Sequence, residues 1–300
     1  MERQETRPAS PINSEQSDLH QATPHSRLNI AVLCSDDPHH LYLVGELSRR
    51  FGLVGIVLER NRVQRRRLWQ KKRYRDWLYR WYHACRHRIM GQSRYREEFF
   101  LSQMPGRAFW PDSALEVDWI NQHKAQAAIA RWRPDVTVVC GTGIVRRSIL
   151  AHTGLTINIH GGLLPDYKGN QCIFFAFYER EFDRIGSTLH LVTKDLDSGP
   201  ILALVRPPIY PHDNDETLYC RSVHLAMQRL FELLEDMSEG RQPRSQPQPP
   251  AGRVFRHRDR KPHLDLSLWV RRWLGLFSVP CMPNLSSPAR RGRWRPSDEK

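Results

Sequence analysis

Short unbroken apolar runs alternate along the chain with stretches whose apolar residues recur at helical spacing. "RLNIAVLCS", from Arg27 to Ser35, predicts a buried first strand. "HLYLVGELSRRFG" follows at helical spacing with Gly52 as its stop, and "LVGIVLE", from Leu53 to Glu59, is the second strand. A strand–helix–strand unit of about 30 residues implies parallel pairing and a right-handed crossover.

Between Arg60 and Phe100 the alternation breaks off. Leu68, Trp69, Leu78, Trp81, Tyr82 and Cys85 stand among arginines, and the run from Tyr74 onward is amphipathic. The pattern predicts a helical insertion packed on the parent domain; a basic aromatic helix also suits a membrane surface.

Alternation resumes with "SALEVDWINQHKAQAAIARWRPD", predicted as a helix ended by Pro134. "VTVVCGTG" is a strand running into glycines, "IVRRSILAH" a short helix and "LTINIH" the next strand. "NQCIFFAFYERE" reads as a helix, and "IGSTLHLVTKDLDSGPILALVRPPI" as two strands joined by the turn "KDLDSG". A long helix follows, with Asp213 and Glu216 as a capping-box-like start and Gly240 as its stop. "RQPRSQPQPPAGR" is a Pro/Gln-rich linker, and "LDLSLWVRRWLGLF" beyond it is a docking helix or a membrane or partner contact.

The expected fold class is therefore α/β, a Rossmann-like doubly wound, mostly parallel sheet with a basic helical insertion at 60–100. The expected divisions are a disordered leader at 1–26, a catalytic domain at 27–240, and a linker and basic tail at 241–300. The leader has no apolar h-region, so it is not read as a secretory signal.

Charge modifies this picture. The net charge of +14 is concentrated in two places. Residues 60–96 carry fourteen Lys or Arg against one acid, Asp76, and residues 251–300 carry twelve against four, which leaves the apparent core mildly acidic. Nucleic-acid binding is therefore not the favoured reading, and a peripheral membrane or protein contact through the basic arm is the alternative partner. The six cysteines are scattered, with no CxxC pair and no zinc-ligand spacing to histidine. Mostly buried thiols and a cytoplasmic location are expected, and no metal.

Ligands of such folds bind outside the carboxyl ends of the strands. The first strand opens into "CSDDPHH", which lacks a dinucleotide fingerprint, and Asp36 and Asp37 would oppose a pyrophosphate. The fourth strand ends in "INIHGGLLPDYKG", where Asn158 and His160 are two residues apart and share a face if the strand continues. Asp197, in the later turn, could join them. No serine or cysteine is placed as an elbow nucleophile, so the set suits direct transfer. The amide donates to a developing oxyanion, the imidazole stabilises the same oxygen or moves a proton, and the carboxylate tunes the imidazole.

"NIHGGLLPDYKG" followed by "HLVTKDLDSGPI" resembles the formyltransferase family that uses 10-formyltetrahydrofolate, which includes glycinamide ribonucleotide, methionyl-tRNA and amino-sugar formyltransferases. Asn158, His160, Leu163, Leu164, Pro165 and Gly169 match its N-x-H-x-S-L-L-P-x-x-x-G pattern, and Asp197, Gly199 and Ile201 its D-x-G-x-I element. The resemblance implies Asn158, His160 and Asp197 as the catalytic trio. It implies that the "CGTGIV" segment and the 194–199 turn hold the folate, through Gly141, Thr142, Ile144, Val145, Leu164, Asp195, Leu196, Ser198 and Gly199. Asp195 is also read as shaping the turn. Asp36, Asp37, His39 and His40 lie where acceptors of this family sit, with helix capping as the alternative; Lys168 is a candidate for an anionic group, and His190 has a family counterpart.

Two departures stand out. Gly162 replaces the family's serine, which removes one hydroxyl contact, and "CSDDPHH" replaces the glycine-rich phosphate loop of the glycinamide ribonucleotide enzymes. The expected activity is N-formyl transfer from 10-formyltetrahydrofolate to a primary amine of a small acceptor, an amino sugar, an amino-acid derivative or a natural-product amine, by direct attack through a tetrahedral intermediate. The alternatives are a formyltetrahydrofolate hydrolase, with water in place of the amine, and a non-catalytic basic binding protein.

Overall fold

Five successive wholly buried positions, Ile30–Cys34, form the central strand β1 of a computed structural model that describes residues 28–104 and 110–283. Helix α1 (Pro38–Arg50) returns the chain to β2 (Leu53–Leu58), parallel to β1. The expected stop is found, with the chain leaving the helix through Phe51 and Gly52 at φ 74°. The basic stretch folds into α2 (Asn61–Gln70), α3 (Tyr74–Ile89) and α4 (Gln92–Leu101).

The next segment differs from the single long helix expected. Only α5 (His123–Trp132) is helical, while β3 (Leu115–Glu116) pairs parallel with β2 at the sheet edge. Val117 and Ile120 are buried beneath α5, so the apolar residues ahead of the helix serve the core without continuing its spiral. Then come β4 (Val136–Cys140), α6 (Arg147–Leu150), β5 (Leu155–His160), β6 (Tyr167–Gly169), α7 (Cys172–Tyr178), β7 (Ser187–Leu191), β8 (Ile201–Val205), α8 (Asp215–Ser238), β9 (Arg253–Phe255) and α9 (Pro262–Trp273).

The main sheet has seven strands in the order β3-β2-β1-β4-β5-β7-β8. Five are parallel, and the β7–β8 hairpin closes one edge antiparallel. Side-chain parity separates two cores: Ile30, Val32 and Val138 pack with α1, α4 and α8, whereas Leu33, Val57 and Val139 face α5 and α6. The sheet is thus covered on both faces, as the sequence predicts, and the strand order reverses between β1 and β4, the place where such sheets open a cleft.

The cap of α8 lies one residue beyond the expected position. Asn214 accepts from the N–H groups of Glu216 and Thr217 and completes a capping box with Thr217. Asp213 instead takes the Arg221 guanidinium through both carboxylate oxygens at 2.9 Å, and Glu216 turns to Arg96.

The segment after Gly240, expected as a linker and tail, is stitched to the domain over its described length. Ile201 and Gln246 exchange backbone hydrogen bonds of 2.7 and 2.8 Å, and β9 pairs with β6. Arg260, buried, bonds Asp215 at 2.7 Å and Asp265 at 2.6 Å and lies 3.5 Å above the Phe174 ring. Phe277 and Leu268 join a third core with α7. The expected leader and residues 284–300 of the tail lie outside the described residues. Four cysteines are buried, Cys85 is half-buried and Cys281 exposed, all as free thiols. No helix among the described residues is long and apolar enough to cross a membrane.

Candidate active site

β5 is paired on both sides, parallel to β4 and antiparallel to β7, so its two polar residues project from a rigid frame. His160 is buried, and its Nε2 stands 2.8 Å from the carbonyl oxygen of Tyr167. A carbonyl only accepts, so Nε2 carries a proton and the neutral ring presents the Nδ1 lone pair. That Nδ1 lies 3.6 Å from Oδ2 of Asp197.

Asp197 sits at the tip of the β7–β8 turn with φ 46°, a left-handed conformation that aspartate tolerates better than most residues. Its Oδ2 accepts the Gly169 N–H at 2.8 Å, and its Oδ1 is 3.6 Å from Nε2 of His190. Burial raises the carboxyl's pKa, but His160, His190 and the Gly169 N–H outweigh it and hold Asp197 at about 2. Burial depresses the His160 pKa, with Asp197 pulling the other way. Near neutral pH the pair is an imidazole beside a carboxylate.

His190, directly opposite Asn158 in the sheet, donates from Nδ1 to the Leu191 carbonyl at 2.9 Å. Its Nε2 therefore accepts from Nδ2 of Asn158 at 3.0 Å, which fixes the amide and leaves its second N–H without a hydrogen-bond partner among the described residues. Asn158, His160 and Asp197 converge in the lining of a cavity of about 870 Å³.

Other expected site residues divide. Gly141, Thr142, Ile144 and Leu196 line this cavity, as do Asp37 and His39. Val145 is buried against α5 and α6, and Leu164 is buried with its N–H on Thr188. Asp195, Ser198 and Gly199 shape the turn outside the lining: Asp195 and Gly199 accept through their carbonyls from Thr193 and Gln248. Lys168 is buried in β6 with Nζ 3.4 Å from the Ser198 hydroxyl, so it is not a loop lysine reaching for an anion. Asp36 is outside the lining and accepts the Asn61 N–H at 2.7 Å.

Gly162 has a steric reason. A Cβ there would stand 2.6 Å from Cβ of Cys172, 2.8 Å from Nε2 of His160 and 2.9 Å from the Tyr167 carbonyl oxygen. The missing side chain makes room for the bond that orients His160.

Sequence reasoning missed the cavity's other wall. The basic insertion contributes Gln64, Arg80 and Arg96. Arg96 grips Glu216 at 2.6 and 2.9 Å and covers the Tyr219 ring at 4.7 Å. Arg80 donates to the amide oxygen of Gln64 at 2.6 Å. Amphipathicity predicts that these helices pack, but carries no signal of which arginines turn inward. The Tyr167 carbonyl is a backbone group and has no residue signature at all.

A doubly wound α/β sheet with an amide, a neutral imidazole and an ionised carboxylate at its carboxyl edge defines the class of fold and site. Residues 102–234 match the family model described as formyl transferase. The chain is 31% identical over 128 residues to the methionyl-tRNA formyltransferase of Thermotoga maritima, covering 42% of this chain and 41% of that one. It is 35% identical over 128 residues to the methionyl-tRNA formyltransferase of Roseiflexus sp., covering 42% and 39%. The chain thus spans about two fifths of the length of these curated relatives. Among solved structures, a 4-N formyltransferase from Francisella tularensis superposes with a TM-score of 0.50 at 14% identity, over 76% of each chain, a likeness of fold.

Proposed function

We propose that this chain is a folate-dependent N-formyltransferase that moves a formyl group from 10-formyltetrahydrofolate to a primary amine of a small acceptor. The observation that carries the reading is His160, its tautomer set by the Tyr167 carbonyl, with Nδ1 facing an ionised Asp197 beside the Asn158 amide. The cavity residues fit the donor. Ile144 and Leu196 are 64% and 42% exposed, an apolar surface suited to a pterin face, and Gly141 brings bare backbone to the same lining.

The donor supplies an activated formyl carbon. The free N–H of Asn158 donates to the formyl oxygen where negative charge develops, a contribution of about 10²–10³ in rate for one well-placed donor. His160 takes the proton released by the attacking amine at Nδ1, and Asp197 balances the charge of the resulting imidazolium without itself protonating. The same proton then returns to the departing folate nitrogen as its bond to carbon breaks. Asp37 is held far below the usual carboxylate range: burial raises its pKa, while His39, His40, Arg96 and the Asn61 amide outweigh it. An ionised carboxylate in the lining is suited to an ammonium-bearing acceptor, and Arg80, bonded to a neutral amide, to an acceptor that also carries an anionic group.

Purified protein incubated with 10-formyltetrahydrofolate and a panel of amines tests this by mass spectrometry. The expected result is a formylated amine with one tetrahydrofolate released per transfer. Formate release without any amine would mean hydrolysis instead, and no folate turnover with any amine would overturn both readings.

A further inference from the structure

In the lining of the cavity, two histidines adjacent in sequence lean together. His39 and His40 open α1, and their ring centroids are 3.9 Å apart although consecutive helical residues normally diverge. Cys140, the last residue of β4, lies beside them. One donor atom from each of the three falls within 4.8 Å of the others, and all three residues are buried.

The ring nitrogens divide into two sets. Nδ1 of His40 stands 3.0 Å from the Ser35 hydroxyl and 3.2 Å from the Ser35 carbonyl, so it carries the proton. Nε2 of His39 pairs with the Tyr219 hydroxyl at 3.2 Å. The opposite nitrogens, Nδ1 of His39 and Nε2 of His40, are shut off from solvent and have no hydrogen-bond partner among the described residues. Buried polar atoms without partners call for an explanation, and an ion is one. Gly141 is part of the arrangement: a Cβ there would stand 2.2 Å from Cε1 of His40.

The geometry points to a divalent transition-metal site, His39 Nδ1, His40 Nε2 and Cys140 Sγ, of the kind that takes Zn²⁺. Two imidazoles and a thiolate form a borderline-soft set, and the absence of carboxylates from it disfavours magnesium and calcium. Donor atoms around a tetrahedral zinc stand about 3.3–3.6 Å apart, as its bond lengths require, and a bound ion would draw these three, now within 4.8 Å of one another, to that spacing. The Ser35 and Tyr219 contacts are the outer hydrogen bonds that ligating histidines characteristically make. With three protein ligands, the fourth position opens toward the cavity and takes water or a heteroatom of the acceptor. The inference does not rest on the proposed formyl transfer, because none of its three donors is among Asn158, His160 and Asp197.

The test uses the full chain, stripped by chelator and reloaded with Zn²⁺ or Co²⁺. About one ion per folded chain is expected, raising Tm, and the cobalt form should show a thiolate-to-metal charge-transfer band. His39→Gln, His40→Gln and Cys140→Ser should each lower metal retention at least tenfold, and Ser35→Ala about 10–100-fold. If Cys140→Ser does not fold, the two glutamine variants and Ser35→Ala read the same site. Folded wild-type protein that takes up no metal would overturn the proposal. So would retention unchanged in folded variants, or a cobalt spectrum lacking the thiolate band.

Discussion

The Nε2–H of His160 is committed to the Tyr167 carbonyl at 2.8 Å, so the ring meets Asp197 through Nδ1. In the proposed reaction, proton transfer then falls to that one atom. His160→Ala should lower kcat/KM for formyl transfer by about 10²–10⁴ while leaving Tm near wild type. Asp197→Asn keeps the shape but removes the charge that raises the His160 pKa. Its kcat should fall, and the acid limb of its pH–rate profile should move to lower pH. A limb that stays in place would detach Asp197 from His160.

Restoring the family's serine at Gly162 should harm this protein. The new Cβ would press on Cys172 and on both partners of the His160–Tyr167 bond. Gly162→Ser should cost about 1–3 kcal/mol in urea unfolding, as overpacking does, and should lower kcat more than it changes KM for folate. Tighter folate binding at unchanged stability would restore the simpler expectation that Gly162 marks only a lost hydroxyl contact.

How much was legible depends on distance along the chain. Asn158 and His160 share a face because strand parity is local, and the turn bearing Asp197 is closed by a hairpin whose two strands are visible as apolar runs. The parallel strands, the crossovers and the covering of both sheet faces follow from the same periodicity. What could not be read is which residues distant in sequence meet. Arg96 reaches Glu216, Arg260 reaches Asp215, and His39 and His40 meet Cys140, each across a separation that leaves no periodic trace. Lys168 and Leu164 sit within the motif yet turn into the protein, because their direction is set by β6 and by Thr188.

Stability should fall with acid through histidines before it falls through carboxylates. Burial depresses His83 to about 4 and His257 to about 3, and also lowers His39, His40, His160 and His224. A folded-state pKa below the unfolded value of about 6.5 means that the unfolded chain binds the proton first. Stability is therefore full above pH 6.5 and drains as pH falls toward the folded values. For His83 alone the loss approaches roughly 3 kcal/mol below pH 4. Asp197, depressed to about 2 from 3.8, adds a second loss between those values. Urea melts at pH 7.5, 6.5, 5.5 and 4.5, values chosen at roughly unit spacing to span the histidine range, should show a monotonic decline, and a maximum near pH 5 would contradict it.

Gln248 ties the segment expected as a linker to the Asp197 turn. Its Nε2 donates to the Asp197 carbonyl at 3.0 Å and to the Gly199 carbonyl at 2.6 Å, while neighbouring Gln246 pairs with Ile201. Gln248 touches no reacting atom, so its role is to position the carboxylate. Gln248→Glu keeps the size but turns a donor into an acceptor facing two carbonyls. It should loosen the turn, lower kcat/KM by about tenfold, and cost about 1–3 kcal/mol, the range for two lost hydrogen bonds. Because a displaced Asp197 no longer raises the His160 pKa, the acid limb should shift downward as in Asp197→Asn, a change that lost stability alone does not produce. Gln248→Asn, which retains the donor on a shorter arm, should recover part of both effects. If Gln248→Glu is destabilised but keeps its acid limb, the segment merely braces the fold.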